Sequence, residues 1–341
     1  MVKAFVSGCA GTTLTAWERD FFAAEQPWGL ILFQRNCREP AEIRDLAAAF
    51  RAAVGRHDAP VLIDQEGGRV QRLKPPNWPK YPPVRTIGTL SREDREAGER
   101  AAWLHGRLIA SDLRALGIDI DCAPVLDLSM PDASDVIGDR AFGTDPYVVA
   151  DLGRSMAEGL LAGGVLPVMK HIPGHGRATS DSHMSLPSID VDIATLDASD
   201  FVPFAELADL PIAMTAHLVV NAVDRDRPAT TSDTVIRDII RGRIGFDGLL
   251  MSDDVSMNAL SGDYSSRAAS IYAAGCDLVL HCSGRTEEMR EIGGAAPALG
   301  GKSRERATRA LQARHDPHPL DEAAAREEYR ALVARVGWAA S

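Results

Sequence analysis

Residues 165–183 read VLPVMKHIPGHGRATSDSH, and the segment changes character at Lys170. Residues 165–169 are an apolar run of strand length. Beyond Lys170, Pro173, Gly174 and Gly176 forbid a helix, so a strand passes into a loop. That loop gathers His171, His175 and His183 with Lys170 and Asp181. Loops that follow parallel strands are where α/β proteins keep their chemistry. Hydrogen-bonding surface histidines would explain the imidazoles, but not a Lys and an Asp in the same segment.

Further short apolar runs lie on either side, at residues 4–7, 28–33, 60–63, 118–127, 211–217, 249–254 and 277–281. Helical patterns separate them. Thr15 and Glu18 form a capping box for a helix through Phe22. Pro40 stands at a first helical position, ahead of Ile43, Leu46, Ala47, Phe50 and Val54 at helical spacing. Helices are also expected over 92–116 with Ser91 as cap, over 147–161, from Ser232 through Ile244, and over 267–274 up to Gly275. Eight strands alternating with helices predict an α/β fold, a (β/α)8 TIM-like barrel, with a doubly wound sheet as the alternative. One catalytic barrel domain is expected over 1–341, with long loops and closing helices from about 286 to 341. The prolines at 75, 76, 79, 82 and 83 predict a stiff wall beside a pocket.

The chain has 341 residues, 45% hydrophobic and 25% charged, with a net charge of −11. That charge argues against nucleic acid and anionic membranes as partners. Five cysteines without a C-x-x-C pair read as buried thiols of a reducing compartment. Residues 6–9 (VSGC) resemble a lipoprotein cleavage box, but only Ala4, Phe5 and Val6 separate it from Lys3. A signal segment needs roughly 7–15 apolar residues there. A cytoplasmic monomer is expected.

In a barrel, the strand ends surround one mouth. They would bring together Asp64 and Arg72, Lys170 and His171, His217, Asp253 and Asp254, and His281. Charged groups in a partly dry pocket cost desolvation unless a ligand or one another satisfies them. Fixed acceptors and donors suit a ligand with several hydroxyls, such as a sugar. Glycoside hydrolysis needs a nucleophile and a proton donor. Asp253 or Asp254 would be the first. His183, oriented by Asp181, would be the second, since an imidazole serves as acid and base in turn.

These residues stand in segments that resemble bacterial β-N-acetylhexosaminidases of glycoside hydrolase family 3. The segments are GLILFQRN (29–36), IDQEGGRVQRL (63–73), APVLDL (123–128), IGDRAFG (137–143), 170–183, MTAH (214–217) and MSDDVSM (251–257). Ile172 and Val255 depart from the usual Phe and Leu. The resemblance implies a retaining mechanism with Asp253 as nucleophile and His183 as general acid/base supported by Asp181. It implies that Asp64, Arg72, Arg140, Lys170 and His171 hold N-acetylglucosamine, with no cofactor and no metal. The family role it implies is peptidoglycan recycling, in which N-acetylglucosamine is removed from N-acetylglucosaminyl-anhydromuropeptides. Larger members append a sandwich domain, for which little chain follows strand eight.

Several side readings accompany this one. Asp254 is expected to cap the next helix, His175 to bond the loop backbone, Arg140 to have Asp139 or Asp145 as alternative partners, and Glu66 to serve in support. His217 either lines the sugar site or satisfies a strand-end carbonyl. Rival activities are a metal hydrolase built on His171, His175, His183, His217 and Asp253, an aldolase using Lys170 as a Schiff base, and a sugar-binding protein without turnover. Phosphorolysis is a variant of the main reading, because a neutral His183 does not repel phosphate as a carboxylate would.

Overall fold

The computed structural model describes residues 1–131, 135–178 and 186–339. Eight strands close into a barrel: β1 (Lys3–Ser7), β2 (Pro27–Leu32), β3 (Val61–Ile63), β4 (Ile120–Asp121), β5 (Leu166–Ile172), β6 (Ile212–Thr215), β7 (Leu249–Asp254) and β8 (Leu278–His281). Neighbours in space are neighbours in sequence, every pair is parallel, and β1 closes on β8. The strands are the eight expected from the apolar runs. Both faces of a parallel sheet are buried, which is why its strands read as almost unbroken hydrophobic segments.

Successive side chains on a strand face opposite ways, and this sorts the core into two parts. Ala4, Val6, Leu62, Leu166, Val168, Leu249, Met251, Leu278 and Leu280 pack together inside the barrel. Phe5, Val61, Ile63, Met169, Leu250 and Val279 join the layer between strands and helices. The inner row matters for function, because continuing it by two residues past Leu62, Val168 and Met251 gives Asp64, Lys170 and Asp253.

Several local expectations are met. Thr15 and Glu18 cap Ala16–Glu25 reciprocally, and Pro40 opens Pro40–Val54. Ser232 Oγ accepts from the Val235 N–H at 3.2 Å, ahead of the π-helix Val235–Arg243. All five cysteines are free and buried. The C-terminal segment holds three helices, Thr286–Ala295, Gly301–Gln312 and Glu322–Ala334. No described helix is long and apolar enough to cross a membrane.

Three expectations need correction. The helix placed over 92–116 is two helices, Val84–Glu93 and Arg95–Arg114. Asp94 separates them in an extended conformation (φ −154°, ψ 102°) and caps the second by accepting from Ala97 N–H, so Ser91 is not the cap. The helix expected over 267–274 begins earlier, at Tyr264, with Asp263 as its cap. Strand β5 runs past Lys170 to Ile172, because partners continue its ladder: Lys170 N–H donates to Pro124 O and Ala216 N–H to Ile172 O. The proline segment does stand beside a pocket, one of about 320 Å³ that Pro79 and Pro82 line, but not the charged one, and it braces the hairpin Gln65–Gly67/Val70–Gln71 from behind. There Gly68 N–H donates to Tyr81 O, and Gln71 Nε2 to Pro79 O at 2.7 Å.

Helices Arg95–Arg114 and Pro146–Ala162 cross through a pair of glycines. A Cβ on Gly106 would lie 2.1 Å from Met156 O, and one on Gly159 would lie 2.1 Å from Trp103 O. Alanine is favoured over glycine in a helix by about 1 kcal/mol, whereas forcing backbones apart in a packed core costs about 1–3 kcal/mol. Gly106→Ala and Gly159→Ala are therefore expected to destabilise the fold, read as a lower urea midpoint. A raised midpoint in either would show that the crossing relaxes freely.

Candidate active site

The inner rows end in a pocket of about 280 Å³ at the C-terminal end of the barrel. Asp64, Glu66, Arg72, Arg140, Lys170, His171, His175, Asp253 and Asp254 line it, with Phe33, Met214, Met257 and Leu280 as apolar wall. The five residues expected to hold the sugar and the expected nucleophile thus converge on one cavity. Asp181 and His183 lie outside the described residues.

Lys170 organises the floor. Its ammonium is buried and lies 2.8 Å from Asp64 Oδ1 and 2.7 Å from Glu66 Oε1. Arg140 grips Glu66 with two bonds, Nε to Oε2 and Nη2 to Oε1, both 2.8 Å. Arg72 Nη2 reaches Asp64 Oδ2 at 3.2 Å, and its guanidinium lies over the Phe33 ring at 4.9 Å. Burial alone would raise both carboxyls. Lys170 and Arg72 instead hold Asp64 well below the ordinary range, and Arg140 with Lys170 brings Glu66 down to about 2. Burial alone would lower Lys170, but the fields of Asp64 and Glu66 raise it above a free lysine. Lys170 is therefore held as an ammonium, which argues against a Schiff-base role, since that chemistry starts from a free amine.

Asp253 differs from Asp64 and Glu66. It forms no ion pair among the described residues, and its Oδ1 accepts the Asp254 N–H at 2.7 Å. Burial pushes its pKa up, yet His217, His171, the Asp254 N–H and Lys170 together bring it below the usual value. It is thus an ionised carboxylate facing the pocket without a cation clamped to it among the described residues. Asp254 does not cap a helix. It closes a turn onto Ser256, accepting from N at 3.0 Å and Oγ at 2.5 Å, and ties down Cys282 N–H.

The histidines divide into different roles. His171 Nδ1 lies 2.6 Å from Asp127 Oδ2, and a carboxylate partner requires the proton on Nδ1. Its Nε2 is thereby left facing Arg140 Nη2 at 3.4 Å. Asp127 also accepts the backbone N–H of His175 at 2.6 Å. Burial raises Asp127, but His171 and His175 together bring it below the usual value and keep the carboxylate ionised. His217 satisfies the strand-end carbonyl of Asp254, through Nε2 at 3.0 Å, and its Nδ1 meets Thr230 Oγ1 at 2.8 Å. It does not line the pocket. His281 turns away to Ser283 and Glu288. No three His, Cys, Asp or Glu side chains are arranged as a metal set among the described residues.

Two functional residues were undervalued in the sequence. Glu66 is the hub of the floor and the partner of Arg140, in place of Asp139 or Asp145. Asp127 sets the His171 tautomer. The available signal was position: Glu66 follows an apolar strand in a segment that also carries Asp64 and Arg72, and Asp127 ends an apolar run inside the motif at 123–128.

The pairing sets the acid stability. The Glu66 carboxyl has a lower pKa folded than its ordinary value of 4.5. Its contribution is thus complete above about pH 4.5 and lost as pH falls towards 2. Asp64 acts in the same direction. Urea midpoints are expected to decline below pH 4.5, and Glu66→Gln should lower the neutral plateau and flatten that decline. An unchanged slope would show that other carboxylates carry it.

The model of the glycosyl hydrolase family 3 N terminal domain matches residues 13–312. A Chromobacterium violaceum β-hexosaminidase is 40% identical over 292 residues, which span 84% of this chain and 81% of that protein. The crystal structure of native NagZ from Neisseria gonorrhoeae superposes with a TM-score of 0.86 at 32% identity, covering 100% of this chain and 98% of that one. The same protein in complex with N-trifluoroacetyl-D-glucosamine gives a TM-score of 0.85 at 31% identity, over 98% and 97% of the two chains. The chain therefore belongs to glycosyl hydrolase family 3, as a β-N-acetylhexosaminidase.

Proposed function

We propose that the chain removes terminal, non-reducing β-linked N-acetylglucosamine with retention, from peptidoglycan-derived anhydromuropeptides during cytoplasmic cell-wall recycling. The observation that carries the mechanism is Asp253, an ionised carboxylate facing the pocket without an ion-pair partner among the described residues, while Asp64 and Glu66 are bound to cations. Asp253 attacks the anomeric carbon and forms a covalent glycosyl-enzyme. His183, oriented by Asp181, protonates the departing oxygen and then takes a proton from the attacking water.

Asp64, Arg72, Arg140, Lys170 and His171 hold the sugar. Asp64 offers acceptor oxygens, and the three cations offer donors at fixed places. Because these groups are already paired with one another, they need little rearrangement when hydroxyls arrive. The relative from Neisseria gonorrhoeae, whose structure contains an N-acylated glucosamine, supports an amino sugar as the occupant.

The test is release of the aryl group from aryl N-acetyl-β-D-glucosaminides in excess chelator. Release is expected in EDTA; recovery only on adding zinc would move the reading to a metal hydrolase. Asp253→Ala should lose roughly 10⁴-fold or more in kcat, as removal of a nucleophile does. His183→Ala should cost about 10²-fold or more on poor leaving groups and much less on activated ones, because the latter need little protonation. Equal losses on both substrate types would remove His183 from the donor role. Sugar-1-phosphate formed on adding phosphate would assign phosphorolysis in place of hydrolysis.

A further inference from the structure

Glu66 is held from two directions. Its carboxylate faces the pocket and takes Arg140 and Lys170. Its carbonyl faces the other way, towards helix Arg95–Arg114, and lies 2.8 Å from His105 Nε2. A carbonyl can only accept, so His105 carries its proton on Nε2. Burial lowers the His105 pKa to about 4, so near neutral pH the ring has one proton and its Nδ1 is an acceptor. Tyr329 OH lies 2.6 Å from that Nδ1. Tyr329 is buried on the C-terminal helix Glu322–Ala334, and burial raises its pKa well above a free phenol, so it keeps the proton to donate. The chain of bonds therefore has one direction: Tyr329 O–H to His105 Nδ1, and His105 Nε2–H to Glu66 O.

The fit around this chain is close. Gly67, next to Glu66, has φ of +99°, and a Cβ there would lie 2.4 Å from Pro82 O and 3.0 Å from His105 Cε1. Tyr81, on the proline segment behind the hairpin, packs edge-on against His105 at 5.4 Å. Tyr81 N–H also donates to Gln71 Oε1 on the second hairpin strand. Arg326, one turn before Tyr329, reaches both Tyr81 OH at 3.2 Å and Asp112 at 2.7 Å. The C-terminal helix thus grips the hairpin by the backbone of the residue that fixes Lys170 and Arg140. Neither His105 nor Tyr329 lines the pocket.

We infer that Tyr329 and His105 are positioning residues for sugar binding, acting through the Glu66 backbone on the Asp64–Lys170–Glu66–Arg140 floor. This rests on the reading of that pocket as the N-acetylglucosamine site. Their role is to set where the floor's donors and acceptors stand, before and during turnover alike. Its loss should weaken binding uniformly, raising KM more than it lowers kcat.

The test compares three variants with the wild type on an aryl N-acetyl-β-D-glucosaminide. Tyr329→Phe removes one hydroxyl and should raise KM by about 3- to 10-fold, the ratio that one ordinary hydrogen bond represents, with kcat within about twofold. His105→Gln keeps an N–H for the Glu66 carbonyl and should stay closer to the wild type than His105→Leu, which has none. Glu328→Gln serves as the control, since it breaks only the exposed pair with Arg100 on the same helix and should leave KM unchanged. Amide hydrogen exchange over 65–72 should quicken in Tyr329→Phe and His105→Leu but not in Glu328→Gln, a readout that needs no turnover. Wild-type KM and hairpin exchange in Tyr329→Phe would overturn the inference, as would equal effects of Gln and Leu at 105. If the wild type itself releases no aryl group, the sugar-site reading fails separately, and exchange alone decides whether the relay holds the hairpin.

Discussion

The buried ammonium of Lys170, set between Asp64 and Glu66, is the constraint on which the site depends. A charge removed from water at the end of a barrel is tolerable only if it is paired and its remaining lone pairs and protons are satisfied. Lys170 meets that condition through two carboxylates, and each carboxylate needs a second cation, Arg72 for Asp64 and Arg140 for Glu66. No member can be removed without exposing another, and losing one partner of a buried pair costs about 3–5 kcal/mol. An apolar floor of the same volume would be no less stable. The retention of such a lattice is best understood as preorganisation, with donors and acceptors already aligned for a polar ligand.

The barrel delivers these groups by simple geometry. Inward side chains recur every second residue, and each inner row passes from aliphatic to charged where the strand reaches solvent. Asp64, Lys170 and Asp253 therefore share a level by continuation of Leu62, Val168 and Met251. Asp254 also borders the pocket, past a register shift in the β7–β8 ladder, but its carboxylate is committed to a structural turn on Ser256 and Cys282 N–H. What the strands do not supply comes from irregular segments: Glu66 and Arg72 from the hairpin after β3, Arg140 from the short 3-10 turn Gly138–Arg140, and Asp127 after β4.

Much of this was legible in the residues. Buried parallel strands announce themselves as short apolar runs, so all eight were found, and chemistry-bearing residues at their ends marked the mouth. The misplacements have specific causes. Helical periodicity continues across Asp94, and only its extended backbone shows that one helix is two. Pro173 and the glycines that follow predict that strand β5 ends at Lys170, whereas cross-strand partners extend the ladder to Ile172. The sequence leaves the role of His217 open because a single side chain at a strand end can face either of two partners, and it assigns Glu66 only a supporting role because its contacts with Lys170 and Arg140 are not local.

By itself, then, the sequence determined the alternation of strands and helices, the placing of Asp64, Lys170 and Asp253 at strand ends, and the family motifs that carry their chemistry. Those properties are local, set by side-chain period and turn-forming residues. Only the tertiary structure decided which charges pair, that Asp253 stands without an ion pair among the described residues, and that His171 is oriented by Asp127. It alone joined Tyr329 to Glu66 through His105. Pairing depends on distance in space, and residues 224 apart in the chain meet only once the barrel has closed and its last helix has docked.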